Sequence, residues 1–201
     1  MEKIKVALVI PTHGNVMSSL HGLLDVYRQL MKTKNVQADI FTDSGNKTSF
    51  DGFKTVAIKS PDYNTLLSKA LFFFGVPRYY YKELVAKLKG YDVIESSNPE
   101  FYLFAYQSYI AAKKYKARLI LRTSQTVEGF FLFRLSKYLV IPFARKAYDY
   151  AAYLLFTNPE ALRRAEMLNL IEANSRRSVI TGHATDTRLF TPMHLRKNKL
   201  S

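Results

Sequence analysis

Cysteine is absent from the 201 residues, so neither a disulfide nor a thiolate metal site can form. Histidine is scarce. The four, at positions 13, 21, 183 and 194, never fall into an H-E-x-x-H spacing, and metal dependence is not expected. No window approaches the roughly 18 uncharged apolar residues that a membrane-spanning helix needs. The short apolar run in MEKIKVALVI leads into a turn instead of a small-residue cleavage site, which reads as a strand and not a signal peptide. These absences predict a cytoplasmic protein, soluble or peripheral on the inner face of the membrane. Acid is in short supply too: 16 Asp and Glu stand against 30 Lys and Arg, a formal net charge of +14. That excess favours phosphate-bearing partners such as nucleotides, anionic lipid or nucleic acid. No helix-turn-helix, RRM-type or zinc pattern accompanies it, which argues against nucleic acid. The glycine fingerprint of a dinucleotide-dependent oxidoreductase is also missing.

What is present is 48% apolar content, enough for one large core, and a regular alternation of strand and helix signals. Ile4 to Ile10 is an apolar run broken only by Lys5, as in a strand buried on both faces, and Pro11-Thr12-His13-Gly14-Asn15 ends it. From Val16 to Met31 the residues Leu20, Leu23, Leu24, Tyr27 and Leu30 recur at helical spacing, with Asn15 or Ser18 as cap. Further strands are predicted at Gln37 to Thr42, Phe53 to Lys59, Tyr91 to Glu95, Ala117 to Leu121, Tyr153 to Thr157 and Ser178 to Thr181. Helices are predicted at Tyr63 to Phe74, Tyr79 to Lys89, Pro99 to about Lys114, Phe130 to Ala152 with an interruption at Pro142, and Pro159 to about Leu170 behind an Asn158 cap. The expected fold is a Rossmann-like three-layer α/β sandwich. Its sheet is mostly parallel, has about seven strands, and is joined by right-handed crossovers.

In such a fold ligands bind beyond the carboxyl ends of the strands, and the candidate residues sit there in the sequence. His13-Gly14-Asn15 follows the first strand: the glycine lets the backbone approach a diphosphate and the imidazole can donate to phosphate or a sugar hydroxyl. The other reading is a plain turn with a solvent-facing His. Asn98, before Pro99, lines an acceptor cleft or simply caps a helix. Arg122-Thr123-Ser124-Gln125-Thr126 follows the fifth strand; Arg122 suits phosphate through its guanidinium fork, and Ser124 shares its loop. Glu128 either acts as a carboxylate toward an acceptor hydroxyl or faces water. Between Phe104 and Tyr148 nine basic residues stand against Glu128 alone, interleaved with Phe130-Phe131-Leu132-Phe133. Arg134, Lys137, Arg145 and Lys146 form a candidate membrane or anion patch there, unless the aromatics belong to the core.

The expected domain closes with SVITGHATDTRLFTP (178–192), in which a strand runs into Gly182, Asp186, Phe190 and Pro192. This order resembles the end of the N-terminal domain of family 4 retaining glycosyltransferases of GT-B fold. There the segment reads G-x-D-x-x-x-F-x-P; here one more residue separates Gly and Asp. The Gly14 turn, Asp92-Val93-Ile94, Arg122 to Gln125 and Phe156-Thr157-Asn158 extend the resemblance over nearly the whole chain. It implies an acceptor-side N-terminal domain over residues 1–192. Residues 193–201 would begin a linker to a second Rossmann domain that holds the nucleotide-sugar, with transfer in the cleft between them and no metal or other cofactor. On this resemblance Gln125 stands where the family commonly has a His near the reacting sugar. Glutamine can hydrogen-bond a hydroxyl but not exchange a proton, so its implied role is positioning. Gly14 and Gly182 fall at the substrate side, and the partners implied are a nucleotide-sugar and a glycan or lipid-linked acceptor. The resemblance also implies that the isolated piece is inactive. The alternative is a non-catalytic module that binds anionic lipid or polymer through the basic and aromatic face.

Overall fold

The computed structural model describes residues 2–11, 17–45, 50–61, 65–66, 80–99, 102–124, 133–173 and 175–182. Seven strands form one sheet: β1 (Ile4–Val9), β2 (Val36–Asp43), β3 (Lys54–Ile58), β4 (Val93–Ser97), β5 (Arg118–Thr123), β6 (Tyr153–Phe156) and β7 (Ser178–Ile180). Their order is β3-β2-β1-β4-β5-β6-β7 and every pair is parallel. The chain thus starts at the centre, grows to one side, then crosses back beside β1 and grows to the other. The switch falls between β1 and β4.

Strand β1 explains why the sheet needs cover on both faces. Val6, Leu8 and Ile10 point to one side, where they meet Leu23, Leu24 and Tyr27 of helix α1 (Met17–Thr33) together with Ala38, Ile40 and Phe50. Ala7 and Val9 point to the other, into a larger core with Phe41, Ile58, Ile94, Leu119 and Leu121. That second core is closed by α2 (Leu84–Lys87), α3 (Leu103–Tyr115), α4 (Phe133–Tyr150) and α5 (Pro159–Met167). Fully burying a Leu, Ile or Phe side chain contributes about 1.5–3 kcal/mol, so a strand buried on both faces is held by many such terms at once.

Two helix expectations need correction. The helix predicted from Tyr79 to Lys89 is much shorter: among the described residues 80–89 only Leu84–Lys87 is helical. The preceding residue Tyr81 is held otherwise, since its N–H donates to Gln107 Oε1 and its carbonyl accepts from Gln107 Nε2, both at 2.9 Å. Glu83 then turns through φ 65, a left-handed conformation that no helix continues. Pro142 does not interrupt α4, which runs through it. Burial of Ile141, Ala144, Ala147 and Tyr148 outweighs the roughly 3 kcal/mol that an interior proline costs. The end of α4 is secured from afar: Arg177 Nη1 donates to the carbonyls of Tyr148, Asp149 and Ala151 at 3.3, 2.9 and 2.7 Å. These carbonyls lie at or just beyond the negative end of the helix, where a cation is favoured.

At α5 the expected cap is present, with Asn158 Oδ1 accepting from the Ala161 N–H at 2.8 Å and Pro159 opening the helix. The helix stops at Met167, three residues before Leu170. Strand β7 lies at the edge, and its Val179 and Ile180 are both exposed instead of alternating. The predicted Tyr63 to Phe74 helix lies outside the described residues except for residues 65–66, of which Leu66 is helical. Among the described residues, no helix is long and apolar enough to cross a membrane.

Candidate functional site

A cleft of about 330 Å³ opens along the carboxyl edge of the sheet, between α1 and the ends of β1, β4, β5, β6 and β7. Its walls differ. Leu23, Val26 and Leu30 of α1 face Ile120 and Leu155 of the sheet to make one side apolar, while Ser97, Asn98, Arg122, Ser124, Thr157 and Thr181 supply polar groups along the strand ends. This is the crevice at which open α/β sheets place ligands.

One carboxylate organises the polar wall. Glu95 sits on β4, 4% exposed, and both its oxygens are engaged: Oε2 accepts from the Tyr27 hydroxyl at 2.5 Å and Oε1 from Arg122 Nε at 2.9 Å. A buried carboxylate is tolerated because an opposite charge and two hydrogen bonds replace its water. The Tyr27 phenol is pushed well above its ordinary range, first by burial and then by the negative charge of Glu95. It therefore remains a donor over the whole neutral range. Arg122 is fixed at its Nε, and its two terminal nitrogens make no bond with any described residue. They are the uncommitted half of a guanidinium fork that lines the cleft.

The strand ends are tied to one another around this group. Asn98 adopts φ 43, a left-handed conformation asparagine tolerates, and its N–H donates to the Arg122 carbonyl at 3.0 Å. Its Oδ1 in turn accepts from the Ser124 N–H at 3.3 Å. The helix cap expected of Asn98 is not its role: α3 begins after Tyr102, which makes no side-chain cap bond. Burial raises the Tyr102 phenol, and its hydrogen bond with Asn98 partly offsets that. At the far end, the Thr181 N–H donates to the Phe156 carbonyl at 2.8 Å, and Gly182 follows with φ 66. A Cβ there would meet nothing within 4 Å, so the glycine is required by its backbone angle and not by crowding.

Four of the sequence-predicted substrate residues, Asn98, Arg122, Ser124 and Gly182, therefore line one cleft. His13, Gly14, Asn15, Gln125 and Glu128 lie outside the described residues, as do Asp186, Phe190 and Pro192 of the closing segment. Arg145 and Lys146 are exposed on α4, away from the cleft lining; Arg134 and Lys137 belong to the same helix, and their side chains are outside the described set. Sequence reasoning missed Glu95 and Tyr27. A lone acid within the strand VIESS was the available signal, since an uncompensated charge does not persist in a strand covered on both faces. Chemically the wall suits recognition of hydroxyl-rich or anionic groups. Each Glu95 oxygen already accepts one hydrogen bond, which fits the carboxylate to hold Tyr27 and Arg122 in place. Among the described residues, no three His, Cys, Asp or Glu are grouped to hold a metal ion.

No protein-family model matches the chain, and no curated protein matches it in sequence. Solved structures match it in fold. HepE of Anabaena in complex with UDP aligns at a TM-score of 0.60 and 12% identity over 92% of this chain and 45% of HepE. The UDP-GlcNAc 2-epimerase of Neisseria meningitidis bound to UDP-GlcNAc aligns at 0.51 and 12% identity, over 89% of this chain and 46% of its own. The glycotransferase of kitacinnamycin aligns at 0.52 and 13% identity, over 92% and 53%. The chain thus spans about half the length of these neighbours. The seven-stranded parallel sheet with its flanking helices is a Rossmann-like α/β fold of the kind these GT-B proteins carry.

Proposed function

We propose that the chain is the acceptor-side half of a retaining, metal-independent glycosyltransferase. A glycan or lipid-linked acceptor occupies the cleft, and a nucleotide-sugar donor is held by a second Rossmann domain of the same protein. The observation that carries this reading is Arg122, anchored by Glu95 and Tyr27 with its fork uncommitted in the crevice at the carboxyl edge of the sheet. Hydroxyl and amide groups of Ser97, Asn98, Ser124 and Thr157 surround it, which suits a polyhydroxylated ligand. Neighbours of the same fold captured with UDP and with UDP-GlcNAc support a nucleotide-sugar as the donor.

In this reading an acceptor hydroxyl attacks the anomeric carbon of the donor, and the bond to the nucleoside diphosphate breaks. Glu128 orients the attacking hydroxyl and accepts its proton as the new glycosidic bond forms on the face from which the diphosphate departs, which retains configuration, and Gln125 hydrogen-bonds a sugar hydroxyl. Chain order puts both within a few residues of Ser124. Gly14, with His13 and Asn15 beside it, comes just after Pro11 at the mouth of the cleft, and the backbone at Gly14 approaches the donor diphosphate. The expected catalytic power comes from orientation and from fixed donors around the departing phosphate.

The test is an amide NMR titration of the chain with a panel of oligosaccharides and lipid-free glycosides. Shifts are expected at Asn98, Ser124, Thr157 and Gly182, and Arg122→Ala should abolish them while circular dichroism shows the chain still folded. Shifts confined to residues outside the cleft, or unchanged by Arg122→Ala, contradict the proposal.

A further inference from the structure

Independently of the cleft, we infer that the outer side of the α3 and α4 pair is a docking face for a bilayer containing anionic lipid. Four rings form a continuous ladder across the two helices. Phe143 meets Tyr106 at 5.3 Å, Tyr106 meets Tyr109 at 5.5 Å, and Tyr109 meets Tyr150 at 5.5 Å between centroids. Tyr106 and Tyr109 are half-buried where the helices pack, but the outer edge of the row is open: Phe143 is 50% exposed, Tyr150 37%, and Ile110 of α3 38%. A single exposed aromatic needs no explanation, but a linked row on two helices does.

Charge identifies the occupant. Lys113, Lys114, Arg145 and Lys146 are all exposed on these same helices, and Lys146 Nζ stands 5.9 Å over the Phe143 ring. Neither α3 nor the described surface of α4 offers a counter-charge except Asp149. A soluble polyanion would be met by the cations alone and would gain nothing from an apolar ridge among them. A bilayer uses both: rings settle at headgroup depth, and long basic side chains lay their stems on the apolar surface while their ends reach phosphate. The two helices cover the face of the sheet opposite α1, so docking there leaves the cleft open.

The chain contains no tryptophan, so Phe143→Trp places a single fluorophore in the ladder. Its emission should shift to the blue on vesicles of phosphatidylcholine mixed with phosphatidylglycerol and stay unchanged on phosphatidylcholine alone. In co-sedimentation, Arg145→Ala and Lys146→Ala should each lower partitioning roughly five-fold. Phe143→Ser should weaken it further, and Lys54→Ala on β3 should have no effect. Circular dichroism checks that each variant is folded. For the unaltered chain, raising ionic strength should release it from the same vesicles. No pelleting with anionic vesicles overturns the inference. So does binding to heparin with no spectral shift on vesicles, which would assign the patch to a soluble polyanion.

Discussion

Arg122 reaches diagonally across the β4–β5 pair to Glu95. Its register partner is Ser97, yet its Nε donates to the carboxylate two residues back along the strand at 2.9 Å. The diagonal matters because Tyr27 arrives at the same carboxylate from α1, so a helix and two strands are joined at one point. Glu95→Gln keeps the shape and removes the charge. It should lower stability by about 1–3 kcal/mol in urea unfolding, because the guanidinium loses its ionised partner. A double-mutant cycle with Tyr27→Phe should show coupling, since both act through one group. Additive effects would mean that the three side chains are merely neighbours.

Alkaline stability should depend on Tyr27. Its phenol is raised above the ordinary value of about 10 by burial and by Glu95, so the unfolded chain loses this proton at lower pH than the folded one. The unfolded state then binds fewer protons in that range, and stability falls as pH rises above about 10 while remaining unaffected below it. Tyr91 behaves alike, raised first by burial and then by its hydrogen bond to Asp39 at 2.6 Å. Tyr27→Phe should flatten the alkaline limb of the stability curve; an unchanged limb would exclude this origin.

Gln107 takes the place of a neighbouring strand for Tyr81, bonding both its N–H and its carbonyl. Gln107→Ala removes both of these bonds from a fully buried residue, whose carbonyl keeps the longer bond from the Leu84 N–H at 3.2 Å, and should cost about 1–3 kcal/mol. Gln107→Glu should not rescue it, because a carboxylate can accept from the N–H but repels the carbonyl. Thermal unfolding of the two variants checks this.

Arg177 binds three carbonyls at the end of α4, and its loss should destabilise the chain by about 1–2 kcal/mol. Arg177→Lys should recover only part, since all three bonds come from Nη1 and the lysine nitrogen sits one bond closer to the backbone. Hydrogen exchange should show the loosening concentrated in the last turn of α4.

The sheet was legible from its apolar runs because strands buried on both faces leave an unambiguous pattern; Val6 to Ile10 is an example. The Asn158-Pro159 cap was legible for a similar local reason. What escaped was settled by distant partners. Nothing near Tyr81 announces that Gln107, 26 residues on, will hold it out of a helix. Nothing near Pro142 reveals how much of α4 is buried. In the cleft, Asn98, Arg122, Ser124 and Gly182 were found because each follows or ends a strand, whereas Tyr27 carried only the helical spacing of a core residue.

The most direct measurement is sugar transfer from a nucleotide-sugar to a glycan acceptor, with Arg122 or Ala at position 122. It is made for the 201-residue chain alone and for a longer polypeptide that adds a second nucleotide-binding Rossmann domain. No transfer is expected from the chain alone. The two-domain form should transfer, and Arg122→Ala should lower that rate at least about ten-fold, as loss of a charged hydrogen bond does. Turnover by the 201 residues unaided, or a two-domain enzyme indifferent to Arg122→Ala, would contradict the assignment of this cleft.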